Sequence, residues 1–359
     1  MGRYRGRRFL VRVAGILAAA AIILTGGVVC MFRNEMDTLE SIQKIDEDAL
    51  FVMEYQGDYG FDEFLESGAE NDQELVSFVT KRLLKGLPME FSIPDLGCST
   101  FSAQTEEGEQ LFGRNFDLSY SPALVVKTQP DQGYRSLSTV NLAFLGFGRD
   151  HLPETMKQKM ILLAAPYAPL DGINEKGLSM AVLKIEDAPT SQDTGKTNLT
   201  TTTAVRLVLD KAANVEEAIA LLKQYDMHSS AGSCYHFQIA DASGASAVVE
   251  YVDNEMVVLR AETNYQMVTN FLLAPQKYGF GNGQDRYEIL KTALDASGGV
   301  LADEQAAMDL LQAASSDWHE SKSGRMSATQ WSIIYNNTNR TAKVITGRQY
   351  EKPAHEFDL

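Results

Sequence analysis

Cysteine is scarce in this chain of 359 residues, and the motifs in which cysteine binds metal are absent. The three cysteines, Cys30, Cys98 and Cys234, are too few and too far apart in sequence for a disulfide framework. None belongs to a CxxC motif or to a Cys/His spacing typical of zinc sites. We therefore expect no metal and no cofactor, and each cysteine needs its own explanation. Cys234 is interpreted as a small buried residue.

An excess of positive charge is also lacking outside the N-terminal region. Residues 1–33 contain six arginines and no acidic residue, so the formal net charge of −16 for the whole chain becomes −22 for the remainder. Binding to a nucleic-acid backbone needs a basic face. The remainder of the chain is strongly acidic, so nucleic acid is excluded as a partner. Hydrophobic residues make up 44% of the chain, enough for a sizeable core, so a disordered chain is excluded as well.

Charged residues of either sign are missing between residues 13 and 32. These residues, VAGILAAAAIILTGGVVCMF, would form a helix of about 30 Å, the thickness of the hydrocarbon core of a bilayer. Arginines precede the run, which predicts a cytoplasmic N-terminus and a single-pass anchor in the cell membrane, with the rest of the chain extracytoplasmic. Cleavage as a signal peptide, followed by secretion, is the alternative, although no A-x-A site precedes Asn34. Cys30 lies inside the run as a small apolar residue.

Residues 34–97 are predicted to form an acidic, helical segment. The stretch Asn71-Asp-Gln-Glu74 has the form of a capping box, and the helix that it begins is expected to stop at Gly86. Between them lies an apolar stripe at helical spacing, formed by Leu75, Phe78, Val79 and Leu83. Such a stripe needs a surface to cover it, which predicts that this helix packs on the remainder of the protein.

Beyond residue 97 the pattern changes to strands. The predicted strands cover residues 98–104, 110–115, 178–185, 236–240, 245–251, 256–261, 330–335 and 341–346. Two helices are expected between the third and fourth of these, the second of them capped by Asn214 with Glu217. Helices between runs of antiparallel strands indicate an α+β fold. No repeat, low-complexity stretch or linker interrupts residues 98–359, which we interpret as one domain.

Cys98 opens the first of these strands, directly after Gly97. A thiol attacks an amide carbonyl only as the thiolate, so it needs a base or a nearby positive charge. No signature links Cys98 to a histidine, and His236, at a strand start, is interpreted as a packed or hydrogen-bonded residue. If the chain is cut between Gly97 and Cys98, the new α-amine can take the thiol proton itself. Glycine suits such a cut because it tolerates strained angles and leaves room for the thiol.

The surroundings of Cys98 resemble the opening of a known enzyme superfamily. Arg114 follows the cysteine by 16 residues and Asp117 by 19, in the stretch Gly113-Arg-Asn-Phe-Asp117. This pattern is similar to that of the N-terminal-nucleophile (Ntn) cysteine amidases of the choloylglycine hydrolase superfamily. Further similar stretches are Asp171-Gly-Ile-Asn-Glu-Lys-Gly-Leu178, Gly195-Lys-Thr-Asn198, His236-Phe-Gln-Ile-Ala-Asp241 and Val268-Thr-Asn270.

The resemblance implies a four-layer αββα Ntn-hydrolase sandwich of antiparallel sheets over residues 98–359, preceded by the transmembrane helix. It also implies self-cleavage between Gly97 and Cys98. In the acid amidase branch of the superfamily the segment before the cut stays attached as a small subunit. Residues 34–97 would then remain bound to residues 98–359 without a covalent link.

The same resemblance implies roles for individual residues. Arg114 would favour the thiolate of Cys98, and Asp117 would hold its α-ammonium group. Asn270, with a backbone N–H, would donate to the oxyanion. Arg286 follows Asn270 by 16 residues, a spacing similar to that of the branch that contains N-acylethanolamine acid amidase and acid ceramidase.

One position departs from the pattern of bile salt hydrolases. Where those enzymes carry a second oxyanion asparagine, in the strand after the Asn174-Glu-Lys-Gly177 turn, this chain has Lys184. Two interpretations stay open for this lysine. Its side chain would recognise an anionic headgroup of the substrate, or it is an edge or surface lysine with no part in binding.

The implied activity is hydrolysis of linear amide C–N bonds in N-acylated small molecules. The candidate substrates, in order of preference, are N-acyl amines or N-acyl amino acids, penicillin V, acyl-homoserine lactones and conjugated bile salts. Two alternatives stay open: an acyltransferase with the same cysteine nucleophile, and a non-catalytic surface-binding protein on the same fold. Association into a homo-oligomer is also left open.

Overall fold

The computed structural model describes residues 33–89, 91, 97–321 and 324–359. The predicted membrane helix at residues 13–32 and Cys30 lie outside these ranges. Within them, no helix is long and apolar enough to cross a membrane. The α-helices are α1 (Arg33–Ser41), α2 (Phe61–Ser67), α3 (Asp72–Arg82), α4 (Met156–Lys159), α5 (Thr201–Lys211), α6 (Val215–Leu222), α7 (Gln284–Ser297) and α8 (Glu304–Ala313).

Strands dominate the rest of the described chain. In chain order they are β1 (Gln43–Lys44), β2 (Leu50–Tyr55), β3 (Gly97–Thr105), β4 (Gln110–Leu118), β5 (Ala123–Thr128), β6 (Ser136–Asn141), β7 (Asp171–Asn174), β8 (Ser179–Ile185), β9 (Asn198–Thr200), β10 (Asp226–His228), β11 (Cys234–Ala240), β12 (Ser246–Val252), β13 (Glu255–Arg260), β14 (Gln266–Val268), β15 (Asn270–Phe271), β16 (Gly281–Asn282), β17 (Val300–Leu301), β18 (His319–Glu320), β19 (Met326–Asn336), β20 (Thr341–Thr346) and β21 (His355–Asp358).

Two large sheets form the centre of the molecule. The first has nine strands in the order β1-β2-β5-β6-β7-β8-β11-β12-β13, and its neighbours are antiparallel except for β2 and β5. The second follows the order β14-β3-β4-β19-β20-β21, with antiparallel neighbours throughout; β17 pairs in parallel with β3 beside this path, and β18 pairs with β19. Strands β4, β11 and β12 are buried along nearly their whole length, which fits strands covered on both faces.

Helices cover the outer faces of this pair of sheets. On the first sheet, α5 packs against β7 and β8, and α6 packs against β11 and β12. On the second sheet, α7 and α8 pack against β3, β4 and β19, while β3 contacts β8 between the sheets. The layers therefore run helix, sheet, sheet, helix, and the predicted α+β sandwich of antiparallel sheets is confirmed.

The elements predicted from local patterns recur with small shifts at their ends. Asn71 caps α3 by accepting from the backbone N–H groups of Gln73 and Glu74, and Asn214 caps α6 by accepting from that of Glu217. The predicted hairpins and the meander correspond to β3–β4, β11–β13 and β19–β20. Trp331 is buried and stacks on Phe116, with ring centroids 4.0 Å apart.

The prediction that residues 34–97 are helical was incomplete. The described part of this segment contains three helices, but it also contains β1 and β2. Strand β2 (Leu50-Phe-Val-Met-Glu-Tyr55) is rich in β-branched and aromatic residues, which favour strands. It pairs residue for residue with β5, from Leu50 opposite Ala123 to Tyr55 opposite Thr128. The segment before Cys98 is therefore part of the first sheet.

Candidate active site

Cys98 lies at the beginning of β3. The neighbouring strands of the second sheet place other residues of the site beside it. In the β3–β4 hairpin, Cys98 is opposite Phe116, Thr100 is opposite Arg114, and Gly97 is opposite Asp117. Because side chains alternate along a strand, Arg114 shares a face of the sheet with Cys98, and Asp117 lies on the other face.

The neighbouring strand on the other side of β3 explains the position of Asn270. Strand β14 runs antiparallel to β3, with Val268 opposite Thr100. If this register is continued by two residues, Asn270 lies beside Cys98.

The thiol of Cys98 is fully buried between the two sheets and contacts an arginine. Arg114 Nη2 donates to Cys98 Sγ at 3.4 Å. The same guanidinium pairs with Asp171 of the facing sheet, with 2.9 Å between Nη1 and Oδ2, and donates to the carbonyl of Leu170. Asp171 in turn accepts from the hydroxyls of Thr139 and Tyr335. This direct contact supports the prediction that Arg114 acts on the cysteine.

The electrostatic surroundings leave this thiol protonated in the uncut chain. Burial raises the pKa of the Cys98 thiol; Arg114 and Arg286 work against that rise, and Asp117 adds to it. Burial disfavours the charge on Arg114, but Asp171 and the cysteine sulfur outweigh it and hold the pKa of Arg114 above its ordinary value. A proton acceptor is therefore still needed before the sulfur can attack.

Asn270 binds the main chain of the nucleophile. Its Oδ1 accepts from the backbone N–H of Cys98 at 2.7 Å and from Arg286 Nη2 at 2.8 Å. Its Nδ2 donates to the carbonyl of Lys184 at 2.8 Å. Since Oδ1 meets two donors and Nδ2 meets an acceptor, the partners themselves determine which way the amide faces. The second hydrogen on Nδ2 remains for the predicted contact with an oxyanion.

Arg286 and Asp117 meet on the outer face of β3 and β4. Arg286 Nη1 donates to the carbonyl of Cys98 at 2.5 Å and to Asp117 Oδ2 at 3.0 Å. Asp117 also accepts from Thr329 at 2.6 Å and from Ser316 at 3.2 Å. In the uncut chain the nitrogen of Cys98 is therefore held by Asn270 and not by Asp117. The role of Asp117 towards an α-ammonium group stays a prediction for the cut chain.

Gly97 has little room for a side chain. A Cβ at this position would lie 3.1 Å from Cβ and 3.2 Å from Oδ2 of Asp117, closer than ordinary van der Waals contact. A larger residue would displace the Asp117 side chain by a few tenths of an ångström, so the close approach of Asp117 favours glycine here. Sequence analysis did not supply this reason.

Lys184 is not an edge lysine, so the edge part of that interpretation was wrong. Its strand β8 lies between β7 and β11, and Lys184 is paired with Tyr235. The pattern Ser179–Ile185 did not reveal whether the strand was central, because that depends on strands distant in sequence. The carbonyl of Lys184 holds Asn270, and the residue lines the cavity beside the site.

A cavity of about 550 Å³ adjoins these residues, a size typical of small-molecule sites. Its walls include Gly97, Asp117, Lys184, Asn270 and Arg286. Most of the remaining lining is polar, contributed by Glu186, Asn282, Asp285, Ser315, Ser316, Asp317, His319, Glu320, Ser321 and Ser327. Among the residues that the structure describes, no group of three or more His, Cys, Asp or Glu side chains is arranged to hold a metal ion.

Four residues of the site were missed by sequence analysis as individual side chains: Asp171, Ser316, Thr329 and Tyr335. Asp171 was noted only within a stretch similar to the superfamily. Thr329 reaches Asp117 because β19 pairs with β4, with Thr329 opposite Asp117. The only local signal was a set of polar residues within strands that are otherwise apolar.

Known proteins share both the sequence pattern and the fold. Residues 98–272 match the family described as linear amide C–N hydrolases, choloylglycine hydrolase family. This part of the chain is therefore similar to the choloylglycine hydrolase family. The family segment begins at Cys98 and includes Arg114, Asp117 and Asn270, whereas Arg286 follows it.

Two known enzymes are similar to parts of the chain. A penicillin V acylase from Pectobacterium atrosepticum is 33% identical over 111 residues, which cover 28% of this chain and 29% of the acylase. A bile salt hydrolase/transferase from Clostridium perfringens is 27% identical over 190 residues, which cover 48% of this chain and 53% of that protein. The chain thus spans about a third to a half of the length of these relatives.

The fold is shared with a solved structure of the family. A mutant of the conjugated bile acid hydrolase from Clostridium perfringens superposes with a TM-score of 0.54 at 17% identity. The superposition covers 73% of this chain and 92% of the hydrolase. At this identity the likeness concerns the fold, an Ntn-hydrolase-like sandwich.

Proposed function

We propose that this protein is a self-processing cysteine amidase that hydrolyses linear amide C–N bonds of N-acylated small molecules. The observation that carries the proposal is the environment of Cys98. Its sulfur contacts Arg114, its nitrogen donates to Asn270, and its carbonyl accepts from Arg286. A nucleophile with its own nitrogen held in place is what amine-assisted catalysis needs.

The mechanism follows from these contacts once the peptide bond between Gly97 and Cys98 is cut. The α-amine of Cys98 takes the thiol proton, and Arg114 stabilises the thiolate. The sulfur attacks the amide carbonyl carbon, and Asn270 Nδ2 donates to the oxyanion, a contact worth about 3 kcal/mol in other hydrolases. The C–N bond breaks as the leaving amine takes the proton back from the α-ammonium group. Water then attacks the thioester, which releases the acid and the thiol.

Intact-protein mass spectrometry and an amide panel test this function together. The full chain, measured after denaturation, should give a fragment that begins at Cys98. The panel contains an N-acyl amine, an N-acyl amino acid, penicillin V, an acyl-homoserine lactone and a conjugated bile salt, each assayed for free amine. An uncut chain that is inactive on every member would contradict the proposal and favour the binding-protein alternative.

Acyl transfer is a second candidate, because one relative is named a hydrolase/transferase. The two reactions share the thioester on Cys98 and differ in the group that attacks it, water or an amine. Product analysis with an added amine acceptor separates them. A new amide as the main product would show a transferase, and free acid alone would show a hydrolase.

We infer that the substrate carries an anionic group, which the ammonium group of Lys184 in the cavity wall would bind. Ile289 is the one large apolar side chain among the described lining residues. An N-acyl amino acid, penicillin V and a conjugated bile salt all carry an acidic group, whereas a simple N-acyl amine does not. We therefore place N-acyl amino acids ahead of N-acyl amines.

Replacement of Lys184 with methionine should raise KM for anionic substrates by about 10- to 100-fold, the equivalent of one charge-assisted hydrogen bond. The value of kcat should stay within about twofold, because the carbonyl that holds Asn270 is unchanged. Steady-state kinetics on a matched pair of anionic and neutral amides measures both values. Lys343→Met is the control. Lys343 lies on β20 and pairs with Glu304 of α8. Equal losses on the neutral amide would contradict headgroup recognition.

We also propose that residues 34–97 remain bound after the cut as a small subunit. Strand β2 pairs with β5 along six residues. The Tyr59 hydroxyl donates to Asp210 at 2.6 Å, in a buried contact. The rings of Phe64 and Phe78 pack on Tyr167, with centroids 5.6 and 5.8 Å apart. In size-exclusion chromatography without denaturant the two fragments should elute together; a catalytic fragment that elutes alone would contradict docking.

Residues 13–32 are proposed to anchor the protein in the cell membrane, with the catalytic part extracytoplasmic. The support is the uncharged run and the arginines that precede it. The full chain should require detergent for extraction, and a variant without residues 1–32 should not. Secretion of a soluble protein that has lost these residues would support the signal-peptide alternative instead.

A further inference from the structure

A buried, hydrogen-bonded pair of side chains lies directly behind the segment that carries Asn270. His236 on β11 and Glu250 on β12 are both fully buried, and His236 Nδ1 lies 3.0 Å from Glu250 Oε1. His236 Nε2 lies 2.7 Å from the carbonyl oxygen of Thr269. A carbonyl oxygen only accepts, so Nε2 carries a hydrogen, and the carboxylate at Nδ1 fits a second hydrogen there.

The other contacts of Glu250 favour its ionised form. Oε1 accepts from the backbone N–H of Leu273 and Oε2 from that of Ala274, each at 2.8 Å. Burial alone would raise the pKa of Glu250, but His236 and these two N–H groups outweigh it and lower the pKa below its ordinary value. Glu250 is therefore a carboxylate, and both of its oxygens and both ring nitrogens of His236 have hydrogen-bond partners.

The contacts of this pair bracket one short stretch of chain. Thr269, held by His236, directly precedes Asn270, and Leu273 and Ala274, held by Glu250, follow it closely. On its other side the stretch is held by β16, which pairs with β15 through Asn270 and Phe271, and by backbone hydrogen bonds of Leu272. The placement of Asn270 thus depends in part on the two strands behind it.

Small errors in this placement would matter to the chemistry. Asn270 Oδ1 must reach the nitrogen of Cys98, while Nδ2 must reach Lys184 and an oxyanion. A displacement of about 1 Å in a catalytic group can cost about 100-fold in rate. Neither His236 nor Glu250 lines the cavity, so an effect of the pair on catalysis is indirect. The contact with Thr269, next to Asn270, provides a route for it.

We propose that His236 and Glu250 are positioning residues that fix Asn270 level with Cys98, for self-cleavage and for amide hydrolysis. The kinetic part of this inference rests on the proposed function, whereas the structural part does not. His236 is thus neither the general base of the enzyme nor a packing residue alone.

Two substitutions of His236 separate its contacts. His236→Gln keeps a donor near the place of Nε2, within reach of the Thr269 carbonyl. His236→Asn has a shorter side chain that keeps a donor towards Glu250 and loses Thr269. Gln238→Met, two residues along the same face of β11, is the matched control, because Gln238 is also buried and polar but contacts Ser246 and Gln266 instead.

Crystal structures in a Cys98→Ala background provide the first measurement. Without the Cys98 sulfur all molecules should stay uncut, so the variants are compared in the same state. The distance from Asn270 Oδ1 to the nitrogen of residue 98 should stay near 2.7 Å in His236→Gln and in the control. In His236→Asn it should exceed the hydrogen-bonding limit of about 3.5 Å. An unchanged distance in His236→Asn would overturn the proposal. If that variant does not fold, Glu250→Gln, which removes the carboxylate between His236 and the backbone N–H groups of Leu273 and Ala274, should show the same displacement.

Kinetics with Cys98 intact provides the second measurement. The value of kcat should fall by about 10- to 100-fold in His236→Asn with KM within about twofold, and His236→Gln should restore most of it. Equal losses in all three variants, control included, would mean a purely structural role and would overturn the proposal. If the wild type is uncut and inactive on every amide, the proposed function fails, and the crystallographic distance alone decides the inference.

Discussion

Cys98→Ala should leave the chain in one piece and lower amide hydrolysis by roughly 10⁵- to 10⁶-fold, as removal of the nucleophile does in hydrolases that act through a covalent intermediate. Self-cleavage and hydrolysis use the same sulfur, so one substitution abolishes both. Intact mass after denaturation measures the first effect, and release of free amine measures the second. The fold should be retained, because the substitution removes a single buried atom that donates no hydrogen bond essential to the sheet.

Cys234→Ala is the matched control for this prediction. Cys234 is also buried in a strand, and its sulfur lies 4.0 Å from the carbonyl oxygens of Tyr235 and Tyr251, remote from the contacts of Cys98. This variant should be cut and active, with a modest loss of stability from the cavity that it creates. A Cys98→Ala chain that is still cut would place the nucleophile elsewhere and would remove the basis of the proposed mechanism.

Arg114→Met should have the largest effect on stability, a loss of about 3–5 kcal/mol in the free energy of unfolding, because it leaves a buried charge without its partner. Both Arg114 and Asp171 have 0% side-chain exposure, and no other cation pairs with Asp171 within the described chain. The substitution also removes the contact on Cys98 Sγ, so cutting and hydrolysis should cease. Urea unfolding measures the loss of stability. It is carried out in the Cys98→Ala background, so that all of the chains compared are uncut.

A double substitution separates the two effects of Arg114. In Arg114→Met/Asp171→Asn neither buried charge remains, and replacing an entire buried pair is often close to neutral for stability. The double variant should recover most of the lost stability while it stays uncut and inactive. If it recovered activity as well, Arg114 would have no electrostatic role at the sulfur. If it recovered no stability, the loss in Arg114→Met would come from packing.

The part of the site closest to Cys98 could be predicted because it is local in sequence. Only one short turn, around Gly108, separates β3 from β4, so the spacing from Cys98 to Arg114 and Asp117 fixes which residues face each other. Sequence did not show which residues Arg114 and Asp117 contact, because these contacts come from other layers: Asp171 on one side of the hairpin and Arg286 on the other.

Asn270 and Arg286 could be named only through the resemblance to the superfamily. They reach Cys98 across 172 and 188 residues of sequence, and no local pattern encodes such a distance. The same holds for Thr329, which is 212 residues from Asp117, and for Thr269 and His236, which lie 33 residues apart. For His236 the expectation of a packed or hydrogen-bonded residue is confirmed, but its partners could not be foreseen.

The missed strand β2 shows a different limit. Its six residues were absorbed into a segment whose helical signals were stronger, such as the cap at Asn71. Its partner β5 begins 73 residues after it, beyond the cut site. A short apolar run of this kind is compatible with either a helix or a strand until its neighbour is known.

The parallel pairing of β2 with β5 has a consequence for how the catalytic part acquires its structure. A chain synthesised from Cys98 onwards would present β5, with its buried Leu124 and Val126, as an unprotected margin of the first sheet. Such margins recruit other chains and promote aggregation. While both pieces belong to one polypeptide, β2 covers this margin before the chain is cut. We therefore expect the segment before the cut to protect the sheet from other chains while the protein folds.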